Sequence, residues 1–253
     1  MQHKIKLACH KIQSATPLIL NLTNYVSADF VANGLIALGA SPIMSYAPEE
    51  SELVTIAKAL VINFGTLHNN FIRQCEKFCE VANNNNIPII LDPVGAGASE
   101  LRTATVLNFL QTFSIAIIRG NASEIDALSS GTKNSKGVDT TLETKNIISN
   151  AIALSTLRNC TIVVSGKTDI IIDKEKIAHS DYGSNLMTKV TGTGCLLSAF
   201  IGAFHAIDSD RFNAARLATT FYGWCAHQAE MMAPPGPASF KINFLDKIYQ
   251  GIQ

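Results

Sequence analysis

The stretch that decides the fold reads Val190-Thr191-Gly192-Thr193-Gly194-Cys195, and an apolar run over residues 196–204 follows it directly. Two glycines one residue apart allow a tight turn whose amides no Cβ shields. The apolar run has the length of a helix and begins where the glycines end. This arrangement places free N–H groups and the positive end of a helix dipole around one small volume. Such a volume suits a phosphate, or the charge that develops on a phosphoryl group during transfer.

Thr193, Gly194 and Cys195 are therefore the candidate catalytic residues. Cys195 falls on the first turn of the predicted helix, where we expect the thiol pKa to fall and the thiolate to become accessible. The alternative is a glycine turn that leads into a buried helix with a small apolar cysteine.

Composition narrows the class of protein. A chain of 253 residues can fold as one α/β domain over residues 1–253. Charged residues make up 16% of it, below the roughly 25% of an average soluble protein, which indicates that other subunits cover part of the surface. The net charge is zero and no Lys/Arg block occurs, so nucleic acid and anionic membranes are poor candidate partners.

Cellular location is predicted from apolar runs and cysteines. No apolar run approaches 18 residues, and the first residues contain no stretch long enough for the apolar region of a signal peptide. The six cysteines are scattered without zinc-site spacing. We therefore expect a reduced, cytoplasmic protein.

Short β-rich apolar runs alternate with amphipathic segments along the chain. The predicted strands cover residues 18–22, 42–45, 60–64, 87–92, 115–119 and 161–165. The predicted helices between them cover residues 28–38, 49–58, 68–83, 100–113, 123–128 and 141–157. A hairpin-like edge follows at 169–174 and 176–180, and then helices at 195–206, 213–232 and 240–248. This alternation predicts a three-layer α/β fold with a mostly parallel sheet and helices on both faces.

Two predicted strand ends carry carboxylates. Asp92 begins the glycine-rich turn 92–98, and Glu124 follows Arg119-Gly120-Asn121 after the next strand. Ligands of open parallel sheets bind beyond the carboxyl ends of the strands. Asp92 could there approach a metal or phosphates, Glu124 could hold Mg²⁺, and Arg119 could neutralise phosphate. Alternatively, Asp92 caps a turn, Glu124 forms a capping box with Asn121, and Arg119 is an ordinary surface residue.

The run Val163-Val164-Ser165-Gly166-Lys167-Thr168 has some likeness to a P-loop. It lacks the first glycine, since position 161 is Thr, and the segment after it is typical of a strand. We predict instead a tight turn between strands that could contact a nucleotide.

Polar and soft apolar groups follow three early strands. Asn24 lies in the first of these segments, Met44 in the second and Gly65 in the third. A pocket that mixes amides, a thioether and backbone groups suits a small uncharged heterocycle. The alternative is ordinary turn chemistry.

Together these segments resemble the hydroxyethylthiazole kinases of the ribokinase-like superfamily. The resemblance spans nearly the whole chain and rests on Asn21-Leu22-Thr23-Asn24-Tyr25-Val26, Asp92-Pro93-Val94-Gly95-Ala96-Gly97 and Thr191-Gly192-Thr193-Gly194-Cys195. The last motif is shared with hydroxymethylpyrimidine kinases. The Asn24 segment and Ala40-Ser41-Pro42-Ile43-Met44 are more specific to the thiazole side.

The resemblance implies transfer of the ATP γ-phosphoryl group to the primary alcohol of 4-methyl-5-(2-hydroxyethyl)thiazole, in thiamine salvage. Met44 and Gly192 would contact the thiazole, with Asn24 and Gly65 in the same pocket. The family forms trimers with sites between subunits, so a homotrimer is expected.

The resemblance also implies roles on the nucleotide side. Arg119 and Ser165 would contact the nucleotide, with Asn121 beside them, and Asp92 and Glu124 would organise Mg²⁺ and its water. Cys195 stands where many ribokinase-like enzymes carry an aspartate base. Because a thiol is an unusual base for an alcohol, we expect most of the catalysis from positioning and from the amides of residues 192–195.

Two other functions stay open at this point. One is a hydroxymethylpyrimidine or pyridoxal-type kinase, which would differ in the shape of the acceptor pocket. The other is a nucleotide-binding regulatory protein that has lost turnover. The presence of Asp92, Glu124 and Cys195 together argues against the second.

Overall fold

A computed structural model of the protein describes residues 1–130, 144–232 and 236–251. Its strands are β1 (Leu18–Leu22), β2 (Ser41–Met44), β3 (Ala59–Asn63), β4 (Ile89–Asp92), β5 (Ile117–Asn121), β6 (Thr161–Ser165), β7 (Asp169–Asp173) and β8 (Lys176–Ser180). They form one sheet in the order β2-β1-β3-β4-β5-β6-β7-β8. The first six strands run parallel and the last two pair antiparallel, which confirms the predicted sheet and its hairpin-like edge.

Helices cover both faces of this sheet. They are α1 (Gln2–Ala15), α2 (Ala28–Leu38), α3 (Asn69–Asn84), α4 (Glu100–Thr112), α5 (Ala122–Ser130), α6 (Thr144–Arg158), α7 (Thr193–His205), α8 (Arg211–Met232) and α9 (Pro237–Gln250). Two 3₁₀ helices span Pro48–Ile56 and Asn185–Lys189. The first three residues of the helix expected over 141–157 lie outside the described residues.

Side chains that alternate along each strand build two apolar cores. On β1 and β3, Ile19 and Val61 pack in a cluster with α1, α2, α7, α8 and α9. Their neighbours Leu20 and Ile62 face the other side, in a cluster with α3, α4, α5 and α6. Because both faces are buried, the strands are apolar throughout, as is typical of a parallel sheet. The three-layer α/β prediction is confirmed.

Helix α1 was not among the predicted elements. Its buried residues Ile5, Ala8, Cys9 and Ile12 recur at the spacing of one helix face. The same periodicity is visible in the sequence and would have identified the helix.

The helix predicted over residues 49–58 is wrong in type. The segment Pro48–Ile56 is a 3₁₀ helix, and its buried Ser51 and Val54, with Ala57 just after it, are three residues apart. A 3₁₀ helix has three residues per turn, so residues spaced by three stay on one face. On an α-helix the same residues would move progressively around the helix axis.

The register of the sheet brings the predicted site residues to one edge. Asn63 is the partner of Asp92 across β3 and β4, and Asn121 is the partner of Ser165 across β5 and β6. Helix α7 packs against β1, β3 and β4, so its N-terminus meets the same edge. Within the described ranges, no helix has both the length and the apolar character needed to cross a membrane.

Gly223 tests how tightly α8 packs beside this edge. A Cβ at Gly223 would lie closer to the main-chain oxygen of Tyr182 than real Cβ atoms do. Helix propensity alone favours alanine over glycine by about 1 kcal/mol. We nevertheless expect Gly223→Ala to lower the free energy of unfolding by about 1–3 kcal/mol, because a main-chain atom must move.

Urea titration measures this loss, with Gly183→Ala as the control. A Cβ at Gly183 has no described atom within 4 Å, so that change should stay within about 0.5 kcal/mol. A Gly223→Ala protein as stable as the wild type would contradict the close packing.

Candidate active site

The N-terminus of α7 forms the predicted turn with free amides. Gly192 caps the helix with a φ of 91°, a backbone conformation that favours glycine. The first hydrogen bond within the helix runs from the Leu196 amide to the Gly192 carbonyl at 2.9 Å. The amides of Thr193, Gly194 and Cys195 precede that bond and point out of the helix end. The predicted glycine turn at the start of a helix is thus present, and main-chain amides at such a helix end can bind an anion.

Gly194 also leaves room for Arg119. A Cβ at Gly194 would lie 2.6 Å from Arg119 Nη1. Arg119 Nε donates to Ser165 Oγ at 2.9 Å, and Nη1 lies 3.7 Å from Asp92 Oδ2. Gly194 on α7, Ser165 on β6 and Asp92 on β4 therefore all lie next to the guanidinium of Arg119.

Asp92 is the buried centre of the site, with only 1% of its surface exposed. Its Oδ2 accepts hydrogen bonds from Asn63 Nδ2 at 2.9 Å and from Ser198 Oγ at 2.8 Å. Its Oδ1 is buried and has no hydrogen-bond partner among the described residues. Burial raises the pKa of this carboxyl, and the positive charge of Arg119 opposes that shift.

An amide network joins Asp92 to Cys195. Asn63 Nδ2 lies 3.2 Å from Cys195 Sγ, and Asn24 Nδ2 lies 3.5 Å from the same sulfur. Asn63 Oδ1 accepts from Asn24 Nδ2 at 2.9 Å and from the Gly65 amide at 3.0 Å. A Cβ at Gly65 would lie 2.7 Å from Asn24 Nδ2. Asn24 and Gly65, which were predicted to share the acceptor pocket, are thus in one network with Cys195, which was predicted to be catalytic.

The expectation of a low pKa for Cys195 is wrong. Burial raises the pKa of the thiol, and the negative charge of Asp92 raises it further. Hydrogen bonds from Ser27 and Asn24 and the charge of Arg119 act in the opposite direction but do not prevail. The position at a helix start is outweighed by desolvation and by a nearby carboxylate, so the thiol is neutral at physiological pH.

Glu124 forms the capping box that the sequence left open as an alternative. Its Oε2 accepts from the Asn121 amide at 2.8 Å, and Asn121 Oδ1 accepts from the Glu124 amide at 2.9 Å. Its Oε1 accepts from the Gly95 amide at 2.9 Å, which joins α5 to the turn after β4. Burial is the main cause that raises the pKa of this carboxyl.

The glycine-rich turn after β4 uses its own amides internally. The acceptors for the amides of residues 95–98 are, in order, Glu124 Oε1, the Pro93 carbonyl, Thr103 Oγ1 and the Gly95 carbonyl. The turn therefore contributes Asp92 to the site, and α7 contributes the amides for a phosphate.

The residue whose free oxygen fits a divalent cation is Asp92, since both oxygens of Glu124 already accept main-chain hydrogen bonds. Asp92 Oδ1 is a buried oxygen that lacks a hydrogen-bond donor in the described structure, and Mg²⁺ prefers one or two carboxylates together with phosphate oxygens and water. Among the described residues, no group of three or more His, Cys, Asp and Glu side chains is arranged to hold a metal. Phosphate and water would therefore supply most of the ligands.

Two cavities are lined by residues that adjoin or contact Cys195. One, of about 640 Å³, is lined by residues that include Arg119, Ser165, Thr193 and Gly194. The other, of about 510 Å³, is lined by residues that include Thr23, Asn24, Tyr46 and Thr66. Gly194 faces the first cavity, and Asn24 belongs to the second and contacts the Cys195 sulfur. The turn at the start of α7 thus borders the first cavity directly and is linked to the second through Asn24.

Of the remaining predicted residues, Thr193 lines the first cavity, and neither Gly192 nor Met44 lines either one. A Cβ at Gly192 would be 3.0 Å from Ser27 Cβ. Met44 ends β2 and packs, half-buried, against the core that contains α7. The Thr193 hydroxyl donates to the Met187 carbonyl at 3.1 Å, so its contribution to the anion-binding turn is the main-chain amide.

Two residues of the network were missed from the sequence. Asn63 ends β3, two residues before Gly65, which was predicted to lie in the acceptor pocket. Ser198 follows Cys195 by three residues on α7. That spacing places Ser198 on the same helix face and would have pointed to it. Nothing in the sequence indicates that the Asn63 amide contacts both Asp92 and Cys195.

Comparison with known proteins decides the family. The hydroxyethylthiazole kinase family matches residues 9–253 of this chain. The chain belongs to that family. A hydroxyethylthiazole kinase of Leptospira biflexa serovar Patoc is 42% identical over 240 residues, which cover 94% of this chain and 90% of the relative.

Solved structures agree on the fold. A hydroxyethylthiazole kinase protein from Pyrococcus horikoshii OT3 superposes with a TM-score of 0.90 at 34% identity, over 99% of this chain and 94% of the other. A ribokinase-like superfamily protein from Enterococcus faecalis V583 has a TM-score of 0.63 at 14% identity, over 94% of this chain and 88% of the other. The hydroxyethylthiazole kinase family fold is thus present with its ribokinase-like architecture.

Asp169 lines the larger cavity. Its buried carboxyl makes the free energy of unfolding of the protein depend on pH. Its Oδ1 accepts from the Gly166 amide at 3.0 Å, yet burial raises its pKa from 3.8 to about 6. The folded state then binds more protons than the unfolded state between these two values. Stability from this group is present at low pH and is lost as the pH rises through about 6.

We expect Asp169→Asn to stabilise the protein more at pH 7.5 than at pH 4.5, by a difference on the order of 1–3 kcal/mol. Asparagine keeps an oxygen for the Gly166 amide and removes the buried charge. Unfolding free energies of variant and wild type, compared at both pH values, measure the effect. A difference that does not change with pH would contradict it.

Proposed function

We propose that this chain transfers the γ-phosphoryl group of ATP to the hydroxyl of 4-methyl-5-(2-hydroxyethyl)thiazole, as a step of thiamine salvage. The observation that carries the proposal is that Thr193 and Gly194 line the 640 Å³ cavity, while Asn24, which lines the 510 Å³ cavity, contacts the Cys195 sulfur. A donor phosphate in one cavity and an acceptor alcohol in the other would meet at the α7 amides. Membership of the hydroxyethylthiazole kinase family supports the choice of acceptor.

ATP occupies the 640 Å³ cavity in this proposal. Arg119, held by Ser165, contacts the phosphates, and Asn121 lines the approach from β5. Asp92 and Glu124 would hold Mg²⁺ and its water, and the cation would neutralise phosphate charge when bound. The amides of α7 stabilise the charge on the phosphoryl group as it passes between donor and acceptor.

The acceptor alcohol lies on the side of Asn24, Gly65, Met44 and Gly192. The neutral Cys195 thiol contacts the amides of Asn63 and Asn24, so its sulfur helps to fix the floor of this pocket. We assign the catalysis mainly to positioning and to the α7 amides, with the thiol in a minor role.

We further propose a homotrimer in which neighbouring subunits complete the acceptor pocket. Tyr25 and Tyr46 stack at 4.6 Å between ring centres and are 64% and 39% exposed, and Tyr46 lines the smaller cavity. Aromatic rings of this kind are enriched at interfaces. The six cysteines are all free, which fits the cytoplasm that we propose as the location.

A coupled assay tests the function. We expect Mg²⁺-dependent consumption of ATP with the thiazole alcohol, and a lower kcat/KM with hydroxymethylpyrimidine and pyridoxal, because the pocket next to Asn24 presents amides and a thioether to an uncharged ring. The phosphorylated product is identified by mass spectrometry. A higher kcat/KM with either competing alcohol would overturn the choice of acceptor.

Three variants separate the amides from the thiol. Gly194→Ala places a methyl group against Arg119 and should lower kcat by roughly 10²–10³-fold, the loss typical for one oxyanion donor. Cys195→Ser keeps the amides and should cost roughly 10²-fold at most. Cys195→Asp should keep activity, because a carboxylate is the usual base of the superfamily at this place.

All three are measured at saturating ATP and thiazole alcohol, after circular dichroism shows that each variant is folded. If both Cys195 variants are inactive while Gly194→Ala is near normal, the thiol has a specific role and the amide mechanism is wrong.

A further inference from the structure

Arg102 lies on the first turn of α4 and contacts two loops next to the candidate active site. Its half-buried guanidinium donates three hydrogen bonds, all to main-chain carbonyls. Nη1 donates to Phe64 O at 2.5 Å and to Val94 O at 2.8 Å, and Nη2 donates to Gly65 O at 3.0 Å.

These three carbonyls belong to two different loops. Phe64 and Gly65 begin the loop that follows β3, and Val94 lies in the turn that follows β4. The planar guanidinium has donors fixed in a fork and can bond to both loops at once, whereas a lysine ammonium is a compact charge on a flexible stem. Arg102 is therefore a cross-link between the two loops.

The first loop leads to the acceptor side. The Gly65 amide donates to Asn63 Oδ1, and the Asn63 amide group contacts both Asp92 Oδ2 and Cys195 Sγ. The position of the Gly65 backbone thus orients the Asn63 amide, and through it the floor of the acceptor pocket.

The second loop leads to the carboxylates. Gly95 follows Val94, and its amide donates to Glu124 Oε1. A Cβ at Gly95 would lie 2.9 Å from Arg102 Cδ, so the arginine stem packs directly on this turn. The next residue, Thr103, accepts from the Gly97 amide at 2.8 Å and holds the far end of the same turn.

We propose that Arg102 is a positioning residue that sets the distance between the acceptor loop (residues 64–66) and the carboxylate turn (residues 92–97). It touches neither substrate and acts through the two loops. This inference rests on the proposed function, because it assumes an acceptor alcohol beside Gly65 and phosphates beside Asp92. Without the cross-link, the two loops can shift relative to each other. The acceptor alcohol and the phosphates then move apart, although the contacts within each loop remain.

Arg102→Lys and Arg102→Gln test the proposal, with Arg158→Lys as a matched control. Arg158 is also half-buried and donates from Nη1 to a main-chain oxygen, that of Leu110 at 3.1 Å, but it lies at the far end of α6. We expect both Arg102 variants to lower kcat by roughly 10²-fold, the cost of a misplacement of about 1 Å. The KM for ATP should stay within about threefold, since Arg119 and Ser165 are untouched. Arg158→Lys should change neither constant.

Hydrogen–deuterium exchange of the substrate-free proteins gives a readout that is independent of turnover. Peptides that cover residues 64–67 and 93–99 should both exchange faster in the Arg102 variants than in the wild type. The same peptides should be unchanged in Arg158→Lys. Because two Arg102 variants are compared, one that fails to fold still leaves the other to decide.

Three results would overturn the proposal: unchanged kcat in the folded Arg102 variants, faster exchange in one loop alone, or the same effects in Arg158→Lys. A failure of the proposed function is seen separately, in the wild type. If the wild-type protein prefers another alcohol, the kinetic comparison uses that alcohol, and the exchange comparison needs no substrate.

Discussion

The buried carboxylate of Asp92 is the interaction on which the site depends. Its Oδ2 lies within reach of three groups from three elements, namely Asn63 on β3, Arg119 on β5 and Ser198 on α7. A charge removed from water costs several kcal/mol unless partners compensate it. The three contacts compensate this cost only in part. The pKa of Asp92 is therefore still raised.

This arrangement explains why the parts of the site have fixed relative positions. Helix α7 is held to the sheet by the apolar core beneath it and, at its first turns, by Ser198 and Asp92. The same contacts place Gly194 next to Arg119 and the Cys195 sulfur next to Asn63. A polar network at the end of an apolar sheet therefore joins the donor and acceptor sides.

The fold could be predicted largely from the sequence because the central strands bury both faces and alternate with helical segments. The glycine turn at the start of α7 could also be predicted, since Gly192 and Gly194 are next to an apolar helix. Both features depend on local pattern, which a sequence displays directly. Helix α1 was not predicted, although its apolar residues show the same local pattern.

The site was harder to predict where its properties depend on contacts distant in the chain. The pKa of Cys195 is raised by burial and by Asp92, more than 100 residues away, and neither effect is visible at the helix start. Glu124 could be read as a capping residue or a metal ligand, and the structure shows that the capping hydrogen bonds do form. The role of Asn63 follows only from the pairing of β3 with β4.

Replacement of Asp92 by Asn tests the central claim most directly, because it keeps the shape of the side chain and removes the charge. The melting temperature and kcat of Asp92→Asn are compared with those of the wild type at pH 7.5. The account predicts that the variant melts no lower than the wild type, since the buried charge opposes folding, and that kcat falls by roughly 10²-fold or more. A variant that melts several degrees lower and keeps near-normal kcat would contradict the account, because the carboxylate would then serve the fold and not the reaction.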